Sequence, residues 1–297
     1  MKSWWKRVGA CVFGLLMGCQ ALAAESGRMS RKDAVDMAAR IVEAVETQAL
    51  PPIDPAVQAQ AKEALLRTVS SGDAGDLDRA TVYAAARLYL LTVDSGGHTH
   101  LWSCQDTQSF QGSTHPEDAA RADVARIVHA GGSDVLVVRP PQTTFTEPSA
   151  AHVYASLLTA AIDAALAHSR ACALVVDLGD QKGGNAWPAI AGTAVGVVLA
   201  PATASAGEMV AMVLSGEPGT RTFGRPSYGM TSINMTLPMP DGALLILTVA
   251  RYAMDGEPVV RGSLQPDFPA GFAETPEQSV QRAVAWAAAH SLPCRAH

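Results

Sequence analysis

Basic residues are scarce in this chain, and none of them cluster beyond its first few positions. There are 22 Lys and Arg against 28 Asp and Glu, so the formal net charge is −6 and the pI is near 5.7. No run of Lys and Arg follows Lys2, Lys6 and Arg7, which argues against a nucleic acid partner held through its phosphates. Internal repeats and low-complexity tracts are absent as well. Cysteine is sparse: once Cys11 and Cys19 near the start are set aside, only Cys104, Cys172 and Cys294 remain. Cys172 precedes an apolar segment, which predicts a buried free thiol. Cys104 and Cys294 lie in polar surroundings and could pair in an oxidising compartment, although pairing is not readable from spacing. The hydrophobic content of 48% is that of an ordinary globular α/β chain.

The first residues read as an export signal. Lys2, Lys6 and Arg7 are its charged part, residues 8–19 its apolar part, and Ala21-Leu22-Ala23 a small-residue cleavage site. The apolar stretch is shorter than the roughly 20 residues a bilayer-spanning helix needs. The expectation is a signal peptide over 1–23 and a periplasmic protein. A second reading takes Leu16-Met17-Gly18-Cys19 as a lipobox, with membrane association only if Cys19 is lipidated.

Residues 24–92 predict a helical subdomain. Val35, Ala38, Ala39, Ile41, Val42 and Val45 recur at helical spacing, and Pro51-Pro52 ends that run. A second helix is predicted over 55–69 and a third from just after 76 to about 91. From residue 135 the pattern changes. VLVV over 135–138 and ALVVD over 173–177 read as strands, separated by an amphipathic helix over 150–168. Strand, crossover helix and strand form a βαβ unit with parallel pairing. A further helix is expected over 186–192, then a strand over 194–199 and another over 243–251. A last helix over 276–290 has Thr275 as its cap and Pro276 in its first turn.

Ser205 is the residue that carries chemistry. It stands in Pro201-Ala-Thr-Ala-Ser-Ala-Gly-Glu-Met209, between the apolar strand AVGVVL and an apolar helix. A serine on such a turn has its hydroxyl at the positive end of the helix dipole, beside backbone N–H groups without helical partners. Those groups can hold the oxyanion formed when a serine attacks a carbonyl. Ser205 and Glu208, three apart, equally spell a capping box, so the segment alone leaves cap and nucleophile both open.

Three other segments fall in a telling order. Asp94-Ser-Gly-Gly-His98-Thr-His100 is similar to a D-x-H-[ST] element. Leu174-Val-Val-Asp177-Leu178-Gly-Asp-Gln-Lys-Gly183-Gly184-Asn185 is similar to a DLRxNxGGN strand and glycine turn. Gly224-Arg-Pro-Ser-Tyr228-Gly229, Asp241-Gly242, Leu247-Thr-Val-Ala-Arg-Tyr252 and Pro266-Asp267 resemble a GxPTYG…DG…LTVAxY…PD tail. Together they resemble the C-terminal-processing (tail-specific) serine peptidases over roughly residues 90–270, and the TASAGEM form is similar to the nisin-resistance-type branch. The resemblance implies an α/β fold, a ClpP/crotonase-like spiral of ββα units, with a catalytic domain over 93–297. Too few residues separate His98 from Val135 for a PDZ domain.

What the resemblance implies for the site depends on one departure. Members with a Ser–Lys dyad carry lysine 25 positions after the nucleophile, and counting from Ser205 that position is Met230. Methionine cannot accept a proton. The tricorn-like and nisin-resistance-type branch uses the histidine of the D-x-H-[ST] element, which implies a Ser205–His98 pair. The oxyanion hole would be the N–H of Ala206 with one from Gly183 or Gly184. Glu208 and Asp94 are candidates for orienting the site, and Trp187 and Tyr228 for lining a substrate groove, with core packing the alternative for both. His100 is the competing base. The pair His98-x-His100 suggests a metal, but no third ligand has suitable spacing, so neither a metal nor another cofactor is expected.

The leading expectation is a secreted serine endopeptidase acting on a peptide or protein. The altered turn Gly179-Asp-Gln-Lys182 motivates a second reading, a catalytically inactive peptide- or lipid-binding member of the same fold. An acyl-CoA enzyme of the crotonase type conflicts with the export signal, because acyl-CoA is cytosolic.

Overall fold

The computed structural model describes residues 27–52, 54–71, 75–93, 97–111, 115–121, 123–142, 148–182, 194–253 and 259–290. The predicted signal segment and the helix expected over 186–192 lie outside them. In chain order the elements begin with β1 (Arg28–Met29), α1 (Arg31–Gln48), α2 (Pro55–Ser70), β2 (Leu77–Asp78), α3 (Arg79–Leu90), β3 (His100–Trp102) and α4 (Cys104–Gln111). They continue with β4 (Ala125–Ala130), β5 (Ser133–Val138), α5 (Pro148–Leu166), β6 (Ala173–Asp177), β7 (Ala194–Leu199) and α6 (Ala206–Ser215). The last are β8 (Thr220–Gly224), β9 (Ser232–Pro238), β10 (Leu244–Arg251), β11 (Phe268–Pro269) and α7 (Pro276–His290).

The chain divides into two compact units, one of residues 1–111 and 232–250, the other of 112–231 and 251–297. In the first unit each helix starts where a short polar side chain can accept from the first turn. Ser30 Oγ accepts from the Asp33 N–H at 3.1 Å, Asp54 from Ala56 at 2.9 Å, and Asp78 from Thr81 at 3.1 Å. The predicted apolar stripe of α1 is partly inward: Ala38, Ile41 and Val45 are buried, whereas Val35 is 41% exposed. They join Tyr83, Tyr89 and Leu90 of α3 in a core with Leu101, Leu245 and Leu247 from a three-stranded sheet ordered β3–β10–β9.

The second unit holds a six-stranded sheet ordered β11–β8–β7–β6–β5–β4. All neighbours are parallel except β4 with β5. The predicted strands 135–138, 173–177 and 194–199 sit side by side at its centre, and the crossover helix between the first two is α5. Both faces are covered, so each strand is apolar on both sides. Val135, Val137, Val175 and Val198 face α7 through Val280, Ala283 and Val284. Leu136, Val138, Leu174, Val195 and Val197 turn the other way, toward Ala211 and Leu214 of α6 and Leu158 and Ile162 of α5. The last helix is capped as predicted: the Thr275 N–H donates to Gln278 Oε1 at 2.8 Å and the Gln278 N–H to Thr275 Oγ1 at 3.3 Å.

Cys172 departs from expectation. It is half-buried and disulfide-bonded rather than a free thiol, and Cys104 is disulfide-bonded too. Cys294 lies outside the described residues.

A buried ion pair anchors the β9–β10 turn to α3. Arg79 Nη1 donates to Asp241 Oδ2 at 2.8 Å, the Tyr83 hydroxyl donates to the same oxygen at 2.7 Å, and both charged side chains are under a tenth exposed. Burial, then the Asp241 charge, pushes the Tyr83 hydroxyl far above its ordinary pKa. Asp241→Ala leaves the Arg79 guanidinium buried without its anion, which should cost about 3–5 kcal/mol. A denaturant midpoint unchanged from wild type would show that the pair does not hold this turn.

Candidate active site

Strand β7 ends at Leu199, and seven positions later the chain enters α6 at Ala206. That tight return forces an unusual backbone. Ser205 has φ 53° and ψ −115°, and it is the one non-glycine residue with positive φ among the described residues. Side chains rarely adopt this conformation, and residues held there cluster at active sites, where neighbouring contacts compensate the strain.

The compensating contacts can be named. Thr203, fully buried, accepts the Ala200 N–H at 2.9 Å and donates to the Leu178 carbonyl at 2.8 Å, tying the loop to the end of β6. The Ala204 N–H donates to the Gln181 carbonyl at 2.7 Å. Gly207, in the first turn of α6, is a glycine because a Cβ there would lie 2.8 Å from both Cβ and O of Gln181. The sequence around Ser205 thus lets the β6 exit turn press against the helix start.

Glu208 is fully buried in the same turn. Its Oε2 accepts the Ser205 N–H at 2.9 Å, its Oε1 accepts the Gly229 N–H at 2.8 Å, and the Ser227 hydroxyl donates to Oε1 at short range. Ser227 Oγ in turn accepts the Leu264 N–H at 2.8 Å. The Glu208 charge also reaches Tyr252, whose hydroxyl is raised above its ordinary pKa by burial first and by Glu208 second. The spacing that reads as a capping box therefore has a wider role: one carboxylate joins the Ser205 turn to the segment 227–229. Tyr228, expected in a groove or in the core, is 58% exposed, with its N–H donating to the Thr203 carbonyl at 2.9 Å. Met230 follows directly and is half-buried.

His98 belongs to the other unit. It is 8% exposed, just before β3 rather than on it. Its Nδ1 lies 2.7 Å from Ser232 Oγ, and its carbonyl accepts from Asn234 Nδ2 at 3.0 Å. Asn234 Oδ1 accepts the Thr248 hydroxyl at 2.9 Å, and the Thr248 N–H donates to Thr99 Oγ1 at 3.1 Å. His100 is in β3, opposite Ile246 of β10, and stacks on Trp102 with ring centroids 6.3 Å apart. The two histidines thus have different surroundings, one in a polar cradle and the other on a strand beside an aromatic ring. No cluster of three metal-ligating side chains occurs among the described residues.

The structure brings Ser205, Ala206, Glu208 and Tyr228 together in one unit and places His98 and His100 in the other. Asp94, Gly183, Gly184 and Trp187 lie outside the described residues. Sequence reasoning missed Ser232, Asn234, Thr203 and the part played by Ser227, although Ser227 stands inside the GRPSYG segment that drew attention.

The sequence model of peptidase family S41 matches residues 189–270, the stretch that includes Ser205, Glu208, Tyr228 and Tyr252. Over that stretch the chain is similar to peptidase family S41. The fold agrees. A lipoprotein from Streptococcus agalactiae superposes with a TM-score of 0.68 at 15% identity, covering 90% of this chain and 98% of that one. The photosystem II D1 C-terminal processing protease superposes with a TM-score of 0.51 at 14% identity, covering 85% of this chain and 97% of that one. No curated protein sequence matches the chain.

Glu208→Gln tests the carboxylate alone. The amide keeps the volume but offers a single acceptor atom, so one of the buried N–H donors of Ser205 and Gly229 faces an NH2 group. An unpaired buried donor costs about 1–3 kcal/mol. The denaturant midpoint should fall accordingly, and fluorophosphonate labelling of Ser205 should fall further than stability accounts for. Labelling at the wild-type rate would mean that Glu208 does not set the serine's geometry.

Proposed function

We propose that the protein is an exported serine endopeptidase in which Ser205 is the nucleophile and His98 the general base. The single observation that supports this most is the left-handed backbone of Ser205, at the head of α6 and held by a buried carboxylate. A helix cap alone needs no such strain, because a capping serine ordinarily takes an extended backbone.

In the proposed reaction Ser205 Oγ attacks the carbonyl carbon of the scissile peptide while its proton passes to His98 Nε2. The oxyanion that forms is held by the Ala206 N–H and an N–H of the Gly183-Gly184 turn, each worth about 3–4 kcal/mol in such sites. Collapse expels the amine, which takes the proton back from the imidazolium and leaves an acyl-serine. Water, deprotonated by the same imidazole, then releases the acid. Glu208 orients the serine and takes no proton. The resemblance to a histidine-using branch without a PDZ domain supports this dyad, and the lipoprotein neighbour supports export, with Cys19 as the attachment point if the chain is lipidated.

Fluorophosphonate labelling separates this reading from a binding protein of the same fold, since only an activated serine reacts. Ser205→Ala should abolish labelling and peptide hydrolysis without unfolding the protein. His98→Ala should be nearly as damaging, and His100→Ala much milder. Wild-type hydrolysis by Ser205→Ala, or the reverse ranking of the two histidines, would overturn the assignment.

Because the base must be neutral to act, kcat/KM should fall as pH drops below an imidazole midpoint, about 6.5 in a free side chain. Met230→Lys sharpens the point. A second cation near the base disfavours the imidazolium, so the variant should be no faster than wild type. A large gain in kcat that no longer depends on His98 would identify a Ser–Lys enzyme whose lysine has been lost.

A further inference from the structure

We propose that Ser232 is a positioning residue for His98, fixing the tautomer of its imidazole with a hydroxyl where a carboxylate would otherwise serve. The proposal rests on the reading of His98 as general base. It comes from the first unit alone, where Ser232 Oγ is 2.7 Å from His98 Nδ1 and both side chains are more than nine-tenths buried.

A neutral imidazole carries one N–H and one lone pair, and the partner of one nitrogen decides the state of the other. With Ser232 Oγ accepting from Nδ1–H, the lone pair is on Nε2, the nitrogen that takes the Ser205 proton. Proton transfer makes an imidazolium that keeps its Nδ1–H on Ser232, and delivery of the Nε2 proton to the leaving amine restores the starting tautomer. The rest of the cradle holds the backbone in place. Asn234 holds the His98 carbonyl, Thr248 holds Asn234, and the Thr99 hydroxyl accepts from the Thr248 N–H. Ser232, Asn234, Thr99 and Thr248 carry no charge. The next titratable side chain along the strand, His100, is turned to Trp102.

The location of Ser232 makes it a built feature. It begins β9, at the far edge of the β3–β10–β9 sheet from the strand that His98 precedes. A single residue, Thr231, separates it from Met230, so the segment that would carry the lysine of a Ser–Lys enzyme here delivers a partner for the histidine.

A hydroxyl orients the imidazole without attracting its positive form, which gives a signature that a merely structural serine lacks. The test measures the rate of fluorophosphonate labelling against pH for wild type, Ser232→Ala, Ser232→Thr and Ser232→Asp. Ser232→Ala should label about 100-fold more slowly, as expected when a catalytic group loses its alignment, and Ser232→Thr should recover most of that loss. Ser232→Asp should move the pH midpoint upward by about one unit, because a carboxylate at Nδ1 favours the imidazolium.

A 15N spectrum of His98 in the Ser205→Ala protein reads the tautomer without any need for activity, and should show Nδ1 protonated and Nε2 bare. Wild-type labelling by Ser232→Ala, no rescue by threonine, or the opposite tautomer in that spectrum would each overturn the proposal. A wild-type protein that fails to label, or a His98→Ala variant that labels normally, would instead overturn the general-base assignment, with the spectrum still deciding the tautomer.

Discussion

One buried carboxylate organises the second unit around Ser205. Glu208 has no exposed surface, and its three donors come from separate places along the chain: Ser205 in its own turn, and Ser227 and Gly229 beyond β8. An ionised group so placed is tolerable only when its oxygens are satisfied, and two backbone N–H groups and a hydroxyl do that here. The same bonds pin a serine backbone that would otherwise relax to an extended cap. The strain at Ser205, the placement of Tyr228 and the start of α6 therefore rest on a single anion.

Two close backbone approaches support this arrangement. Gly207 lets the β6 exit turn lie against the first turn of α6, and a Cβ there would meet Gln181 at 2.8 Å. Gly224 ends β8 with φ +104°, and a Cβ there would lie 2.2 Å from the Leu199 carbonyl, whose oxygen accepts the Arg225 N–H at 3.0 Å. Both glycines bring chain ends together at the carboxyl edge of parallel strands, where open α/β sheets place their sites. The altered turn 179–182, which motivated a binding role, keeps its structural part in the described residues: Gly179 donates to Asp177 at 3.0 Å, and Gln181 accepts from Ala204 at 2.7 Å.

Much of the fold was legible because its signals are local. Apolar runs at 135–138, 173–177 and 194–199 are too short for helices and too uniformly apolar for a half-solvated sheet, so a parallel sheet covered on both faces follows. Helix starts at 31, 55, 79 and 276 are marked by Ser30, Asp54, Asp78 and Thr275, whose side chains have few better uses. The antiparallel strand β4 was not anticipated, although Gly131 and Gly132, both at positive φ, form the two-residue turn that betrays a hairpin. Its sequence, ARIVHA, has only two strongly apolar residues, Ile127 and Val128, and lies at the sheet edge, where burial imposes less pattern.

By itself the sequence determined which residue types could do chemistry, and in what order: a serine ahead of an apolar helix, a histidine in a short polar segment, and a methionine where a lysine would act. Tertiary structure alone decided how those residues are held. Nothing in the spacing of residues 98 and 232 shows that a hydroxyl meets the imidazole, because their proximity depends on β10 lying between β3 and β9. Nor could a Ser-x-x-Glu pattern reveal that its carboxylate holds two further donors some twenty residues on. Local sequence fixes backbone propensity and capping through contacts three or four residues apart. Orientation of a catalytic side chain depends on partners brought from across the chain, and those exist only once the sheets have formed.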